Sequence, residues 1–167
     1  ALPILAAGLE ETYYFEPSTV TWSYASHAAI VDVDTRTGQV VIEKYVIVHD
    51  CGVVVNPMLV EGQIAGGVAQ GIGGTLFEEF VYDGRGEPLA VTFADYLMPT
   101  VREIPTIEVI VTEDAPSPLN PLGLKGAGEG GINAVGAAIA AAIDAALDLP
   151  GAVTELPITP QRLKRLL

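Results

Sequence analysis

The stretch MLVEGQIAGGVAQGIGGTLFEEF, residues 58–80, carries the clearest periodic pattern in the chain. Placed on a helix, with about 100° between successive residues, it has one broad apolar side. The members of that side are Val60, Ile64, Val68, Ile72 and Leu76. The preceding Pro57 suits the first position of a helix, where its missing N–H costs nothing. The pattern therefore predicts a helix over about 58–80 that buries its apolar side.

A second side of the same helix is almost bare of side chains. It consists of glycines and two amides: Gln63, Gly66, Gly67, Gln70, Gly73 and Gly74. Each glycine inside a helix costs about 1 kcal/mol relative to alanine, so a close neighbour must compensate. One explanation is a helix or strand packed tightly against the bare side. The other is a bound planar or phosphorylated ligand whose polar edge meets the amide of Gln63 or Gln70.

The flanking segments read as β-structure. Apolar residues alternate over 26–34, a β-rich run follows over 40–49, and the turn DTRTGQ lies between them, which predicts an antiparallel hairpin. Further strands are expected at 89–99, after the turn YDGRGEPL, and at 107–114.

Helical patterns complete the chain. An alanine-rich helix is predicted over about 130–147, and a short C-terminal helix is expected with Thr159 as its N-cap and Pro160 at its first position.

The sequence predicts an α+β fold, in which β-hairpins or a mixed sheet pack against the glycine-rich and alanine-rich helices. Its 167 residues suit one domain, 1–167. Residues 1–20 are expected to mix helical and loop character, and the start reads as the middle of a larger protein.

Composition excludes several classes of function. Asp and Glu outnumber Lys and Arg 21 to 8, giving a formal net charge of −13. Repulsion from phosphate backbones and anionic lipid follows, so no nucleic-acid partner is expected. The stretch 132–147 is too short and too rich in alanine to cross a membrane, so no span is predicted.

Cysteine and histidine, the usual sulfur and nitrogen ligands of metals, are few. Cys51 is the single cysteine, and His27 and His49 are the only histidines. A disulfide framework, an iron–sulfur site or a zinc site held by this chain is therefore not expected. Cys51 itself is interpreted as a small buried residue, and a reducing, cytoplasmic compartment is predicted.

The loop PLGLKGAGEGGINAV, residues 121–135, surrounds one carboxylate, Glu129, with glycine. Gly126, Gly128 and Gly131 match the dinucleotide fingerprint GxGxxG, but Asn120-Pro121-Leu122-Gly123 makes a poor preceding strand. A first-turn acid that complements the helix dipole is a second interpretation.

The third interpretation is a frame that holds Glu129 as a general base beside open space for a ligand. Lys125 would then pair with Glu129 or with a ligand phosphate. From the residues alone all three interpretations stay open. The His49-Asp50 pair, at the end of the β-rich run, resembles part of a proton relay, but it is interpreted as serving turn structure at a strand end.

Three segments together resemble a known family. They are VHDCGVVVNPMLVEGQIAGGVAQGIGGTLFEEFVYDGRGEPL, DYLMPTVREIPTIE and SPLNPLGLKGAGEGG. In order and spacing they are similar to the C-terminal part of the molybdenum-binding large subunit of the xanthine dehydrogenase / aerobic carbon monoxide dehydrogenase family. The resemblance runs from about Thr21 to the end of the chain.

The resemblance implies roles for particular residues. The family's KGxGE motif falls on Lys125-Gly126-Ala127-Gly128-Glu129, which implies that Glu129 is the general base beside molybdenum and that residues 125–128 contact the cofactor. The GQxxGGxxQGxG motif implies further cofactor contacts, with Gln70 the best candidate. Its members are Gln63, Gly66, Gly67, Gln70, Gly71 and Gly73.

The implied enzyme is a hydroxylase or dehydrogenase that uses oxygen from water, of the carbon monoxide dehydrogenase or the aldehyde/xanthine dehydrogenase type. Its molybdenum sits on a pyranopterin, in bacteria often the cytosine dinucleotide form. FAD and [2Fe–2S] clusters belong to a medium and a small subunit, and a homo-oligomer of that heterotrimer is implied.

We expect this chain to need the remainder of the large subunit to hold cofactor tightly or to turn over. The alternatives are a non-catalytic binding module that keeps the fold without cofactor, and a dinucleotide-binding domain.

Overall fold

A computed structural model of the protein describes Gly8 and residues 11–167. The elements are strands β1 (Tyr24–Asp34) and β2 (Gln39–Asp50), helix α1 (Pro57–Leu76), strand β3 (Ile107–Thr112), and helices α2 (Val135–Leu147) and α3 (Pro160–Leu163). The strands form one sheet in the order β1-β2-β3. β2 is antiparallel to β1 and parallel to β3. The predicted α+β class and the hairpin are confirmed.

A bulge in β2 sets which side chains face the core. Ile30 pairs with Lys44 but Val31 pairs with Ile42, so Glu43 is the extra residue on β2. The extra residue shifts the alternation of β2 by one position. Tyr45, Ile47 and His49 beyond the bulge, like Ile42 before it, are therefore buried.

Helix α1 fits the pattern that predicted it. Asn56 caps it by accepting from the backbone N–H of Leu59, and a proline opens it. Ile64, Val68 and Ile72 are fully buried, so the predicted apolar side is the one that packs. The helix ends at Leu76 rather than at residue 80, because the backbone of Phe77 leaves the helical region (φ −130°, ψ −51°) and the N–H of Glu78 bonds to the carbonyl of Gly73, five residues earlier.

Helix α2 covers β1 and packs against α1. Its buried side chains are Val135, Ile139 and Ile143. It begins at Val135 rather than at 130, because residues 130–134 form turns at its entrance. In α3 the Thr159 side chain accepts from the N–H of Arg162, which confirms the predicted N-cap.

The strand predicted at 89–99 is wrong. The carbonyl of Thr92 accepts hydrogen bonds from the N–H groups of Asp95 and Tyr96, which closes a turn there. YDGRGEPL does form a turn, but only an isolated bridge between Tyr82 and Pro88 flanks it. The expectation for 1–7, 9 and 10 lies outside the described residues, and 11–20 contain no helix. Within the described ranges no helix is long and apolar enough to cross a membrane.

Candidate functional site

The glycine-rich loop wraps around the end of β2. Backbone bonds fix its start: the carbonyl of Cys51 accepts from the N–H of Lys125, and the carbonyl of Gly123 accepts from Val53. His49 and Asp50 are the last residues of β2, and successive strand residues point to opposite faces. The loop meets Asp50 on one face through Lys125 and His49 on the other through Gly130.

A buried ion pair anchors the first end of the loop. The Lys125 Nζ lies 2.8 Å from Oδ1 of Asp50, and their side chains are only 6% and 0% exposed. Burial raises the pKa of Asp50, but hydrogen bonds from Lys125 and from the N–H groups of Gly52 and Ala115, with the Lys125 charge, hold it well below its usual range. The ammonium also lies 4.9 Å from the centre of the Tyr24 ring.

The partner of Lys125 is thus Asp50, and not Glu129 as the sequence allowed. Asp50 takes one of the three N–H donors of the Lys125 ammonium, and a contact between that ammonium and a cofactor stays a prediction. Asp50 holds Lys125 as well as the turn at the strand end, a wider role than the sequence interpretation gave it.

Two histidines bracket Gly130 at the other end of the loop. A side chain at Gly130 would collide with the His49 ring, which is fully buried. Neither nitrogen of His49 has a hydrogen-bond partner among the described residues. His27 lies 2.9 Å by Nε2 from the Gly130 carbonyl and 2.8 Å by Nδ1 from the Tyr45 hydroxyl. Burial is the main cause that lowers the pKa of both histidines, which favours the neutral form of both rings.

The glycines of the loop divide into two kinds. Gly130 and Gly131 are close-packed: a Cβ at Gly131 would lie 3.0 Å from the carbonyl carbon of Ile64 in α1. Gly126 and Gly128 are different, since a Cβ on either would meet no atom within 4 Å. Nothing within the described residues requires glycine at 126 and 128, and both border open space.

That open space is a cleft of about 420 Å³ with Glu129 on its wall. The exposed Glu129 lines it together with the open glycines and the start of β1. The lining residues include Thr21, Trp22, Tyr24, His27, Gly126, Gly128, Glu129 and Asn133. The carboxylate is accessible to a ligand from solvent, while the peptides after it are anchored.

The glycines of α1 are partly explained by the chain itself. A Cβ at Gly67 would lie 3.0 Å from Gly131, and one at Gly71 would lie 2.6 Å from the Val135 side chain. Tight packing on the entrance to α2 therefore accounts for these two glycines without a ligand. Gly66 faces open space instead.

The two glutamines of α1 are exposed and do not line the cleft. Gln63 and Gln70 lie four residues before and three residues after Gly67, or about 6 and 4.5 Å along the helix axis. They therefore lie on the side of α1 that carries Gly67, the residue that touches Gly131. Their contact with a cofactor stays a prediction, as do those of Gly66, Gly67, Gly71 and Ala127.

The other two interpretations of the loop find no support. Helix α2 has no acidic residue in its first turn, and Glu129 lies six residues before Val135, so it is not a dipole-complementing acid. A dinucleotide fingerprint needs a strand directly before it. Residues 113–125 instead contain turns and one isolated bridge, between Leu124 and Gly52.

His27, Tyr45 and Asp50 are the positions whose part in the site the sequence did not reveal. His27 lies 103 residues from the carbonyl it contacts, so no local motif joins them. One signal was available: His27 lies in phase with the inward-facing Ala25 and Ala29 of β1. Among the described residues, no group of three or more His, Cys, Asp or Glu side chains could hold a metal ion.

Comparison with known proteins gives consistent matches. Residues 5–105 match the family described as "Molybdopterin cofactor-binding domain". The chain is 41% identical to the 6-hydroxypseudooxynicotine dehydrogenase complex subunit gamma of Paenarthrobacter nicotinovorans, over 93% of this chain and 20% of that protein.

Solved structures agree. Quinoline 2-oxidoreductase from Pseudomonas putida 86 matches with a TM-score of 0.78 and 46% identity, over 83% of this chain and 18% of that one. The Cu,Mo-CO dehydrogenase in its carbon monoxide reduced state matches with a TM-score of 0.85 and 31% identity, over 92% and 19%. The chain thus spans about a fifth of the length of each of these proteins.

Proposed function

Because this chain belongs to the molybdopterin cofactor-binding domain family of molybdenum hydroxylase large subunits, we propose that it forms the Glu129 wall of such an enzyme's active site. The complete enzyme oxidises a small substrate with oxygen derived from water. It is of the carbon monoxide dehydrogenase type or of the aldehyde/xanthine dehydrogenase type.

The observation that carries the proposal is the contrast between the two kinds of loop glycine. Gly130 and Gly131 are needed for packing, whereas Gly126 and Gly128 leave room for a group that this chain does not supply. Successive backbone N–H groups in such a stretch suit the oxygens of a pterin or its phosphate. The residues present therefore fit a pyranopterin cofactor, held by the 126–128 backbone and by Gln70 from α1.

Glu129 is the general base of the proposal. Its carboxylate lies on the wall of the cleft and is open to a ligand, which a base needs in order to come within hydrogen-bonding reach of a proton. When bound, the molybdenum cofactor would supply the two-electron redox chemistry. Glu129 would accept a proton as oxygen is transferred, while the anchored peptides after it keep the carboxylate in place.

Electrons must leave through groups that this chain does not carry. One cysteine cannot ligate an iron–sulfur cluster, which needs several. We assign FAD and [2Fe–2S] clusters to a medium and a small subunit, and the remaining cofactor contacts to the remainder of the large subunit. A cytoplasmic heterotrimer that forms a homo-oligomer is the assembly proposed.

The test is Glu129→Gln in the complete enzyme, with turnover and molybdenum content measured together. Loss of the base should reduce kcat by about 10²–10⁴-fold, with molybdenum content unchanged. Glu155→Gln is the control, because Glu155 is exposed and lines a different groove. Near-parental turnover in Glu129→Gln at normal molybdenum content would contradict the role of Glu129 as general base.

A non-catalytic module is the alternative, and a second measurement separates it. The chain is expressed together with the upstream part of its large subunit, and bound molybdenum and pterin are quantified. Our proposal expects both to be present at close to one per subunit, whereas a scaffold module would contain neither.

A further inference from the structure

We propose that His27 is a positioning residue for Glu129, that the Gly130 carbonyl fixes which nitrogen of His27 carries the proton, and that the Tyr45 hydroxyl donates to the other nitrogen. The inference rests on the proposed role of Glu129 as the base. It concerns two side chains that lie on β1 and β2, far in sequence from the glycine-rich loop.

The contacts determine the tautomer of His27. The Gly130 carbonyl can only accept a hydrogen bond, so Nε2, at 2.9 Å, must carry the proton and donate. In a neutral ring Nδ1 is then an acceptor, and the Tyr45 hydroxyl at 2.8 Å must donate to it. The result is a directed chain from the Tyr45 hydroxyl through His27 to the Gly130 carbonyl.

The packing around the rings of Tyr45 and His27 keeps these hydrogen bonds in the same direction. Tyr45 is fully buried in the core, and its ring stands at 82° to that of His27 with the centroids 5.9 Å apart. Burial raises the pKa of Tyr45 far above its ordinary value, so its hydroxyl keeps its proton. The Tyr45 hydroxyl sits diagonally across the β1–β2 pair from His27, whose direct partner on β2 is Ile47.

The carbonyl that His27 holds belongs to the residue directly after Glu129. The peptide bond of that carbonyl joins two glycines, Gly130 and Gly131, whose backbones have wide φ/ψ freedom. The Glu129 carbonyl accepts from the N–H groups of Ile132 and Asn133, at 3.1 and 3.2 Å. Without the His27 donor, the Gly130 carbonyl loses this hydrogen bond, and the position of its peptide then depends on packing against His49 and Ile64, which lets the Glu129 backbone shift.

His27 acts through the loop rather than on a ligand. Although it borders the same cleft as Glu129, both of its nitrogens are engaged by Gly130 and Tyr45. A displacement of about 1 Å at a reacting group costs on the order of 10²-fold in rate. Loss of the His27 donor should therefore reduce kcat and leave KM and molybdenum content close to parental.

The experiment uses the complete enzyme and four variants: His27→Ala, His27→Gln, Tyr45→Phe and Tyr96→Phe. For each, kcat per bound molybdenum, KM and deuterium uptake of the 126–134 segment are measured. Tyr96→Phe is the control, because it removes a tyrosine hydrogen bond, to Glu78, away from the cleft lining.

We expect His27→Ala to lower kcat by about 10²-fold and to raise deuterium uptake in 126–134. His27→Gln should recover much of the rate, since its amide N–H can reach the place of Nε2. Tyr45→Phe should lie between His27→Ala and the parent, and Tyr96→Phe should match the parent. If His27→Ala does not fold, Tyr45→Phe still tests the inference, since it removes one oxygen from the same chain of hydrogen bonds.

Parental kcat and parental deuterium uptake in both His27→Ala and Tyr45→Phe would overturn the inference. So would variants that only lose stability while kcat per molybdenum stays parental, because His27 would then be merely structural. Glu129→Gln in the same series separates the two proposals. If it is inactive while the His27 variants are parental, only the positioning role fails; if it is active, the role of Glu129 as base fails.

Discussion

Gly131→Ala and Gly128→Ala place the same methyl group in one loop, but the first should destabilise the fold and the second should weaken cofactor binding. At Gly131 an alanine Cβ would collide with the carbonyl oxygen of Ile64 and lie 3.0 Å from both the Cα and the carbonyl carbon of that residue, where ordinary contacts are 3.4–4 Å. At Gly128 the same Cβ meets nothing within 4 Å. Both positions have φ outside the left-handed region, so neither alanine is strained by its backbone conformation.

The loss of stability in Gly131→Ala depends on which part of the fold must move to make room for the methyl group. Ile64 is fully buried in the middle of α1, so its backbone gives way only if α1 and the entrance to α2 separate. Overpacking of this kind costs about 1–3 kcal/mol. Gly131→Ala should therefore lower the free energy of unfolding by that amount, and Gly128→Ala should change it by no more than about 0.5 kcal/mol.

The assay is urea unfolding of the chain followed by far-UV circular dichroism, for both variants and the parent. In the complete enzyme, Gly128→Ala should in addition lower molybdenum and pterin content, because its methyl group enters the cleft. Equal stability of the two variants would refute the division of the glycines into packed and open. Full cofactor content in Gly128→Ala would refute the assignment of the open pair to the cofactor.

Three other substitutions test the frame around the site and the core. Asp50→Asn leaves the buried Lys125 ammonium without its anion and should lower the unfolding free energy by about 3–5 kcal/mol, measured by urea unfolding. Because the folded-state pKa of Asp50 lies below its unfolded value, its stabilisation is present above about pH 5 and is lost as the pH falls further. Urea midpoints measured down this acid range should therefore fall less steeply in Asp50→Asn than in the parent. Ile139→Ala empties a fully buried position of α2 and should cost about 2–5 kcal/mol, and Thr159→Ala should cost about 1 kcal/mol through loss of the α3 cap, both read from thermal or urea midpoints.

Local patterns predicted the elements whose reasons are local. The buried Ile64, Val68 and Ile72 of α1 and the capping Thr159 follow from spacing and from residue type. The strand expected at 89–99 failed because a strand needs a partner, and a partner is not a local property. Val91 and Phe93 there are 68% and 83% exposed, so alternation alone did not indicate burial.

The site shows the same division between local and long-range causes. The sequence identified Glu129 and the glycines around it, but it could not sort those glycines, since Gly131 is required by Ile64 and Gly130 by His49. Nor could it pair Lys125 with Asp50, 75 positions earlier, in place of the nearby Glu129. These contacts arise only when β2, the loop and α1 meet in the folded chain.

The location of molybdenum in the complete enzyme would show whether Glu129 borders the active site. A crystal of the loaded enzyme, with diffraction recorded on both sides of the molybdenum absorption edge, gives the metal position without assumptions about the pterin. We expect the anomalous peak in the cleft bordered by Gly126, Gly128, Glu129 and the start of β1. A peak elsewhere, such as beside the separate groove lined by Ile42, Phe77 and Pro160, would contradict it.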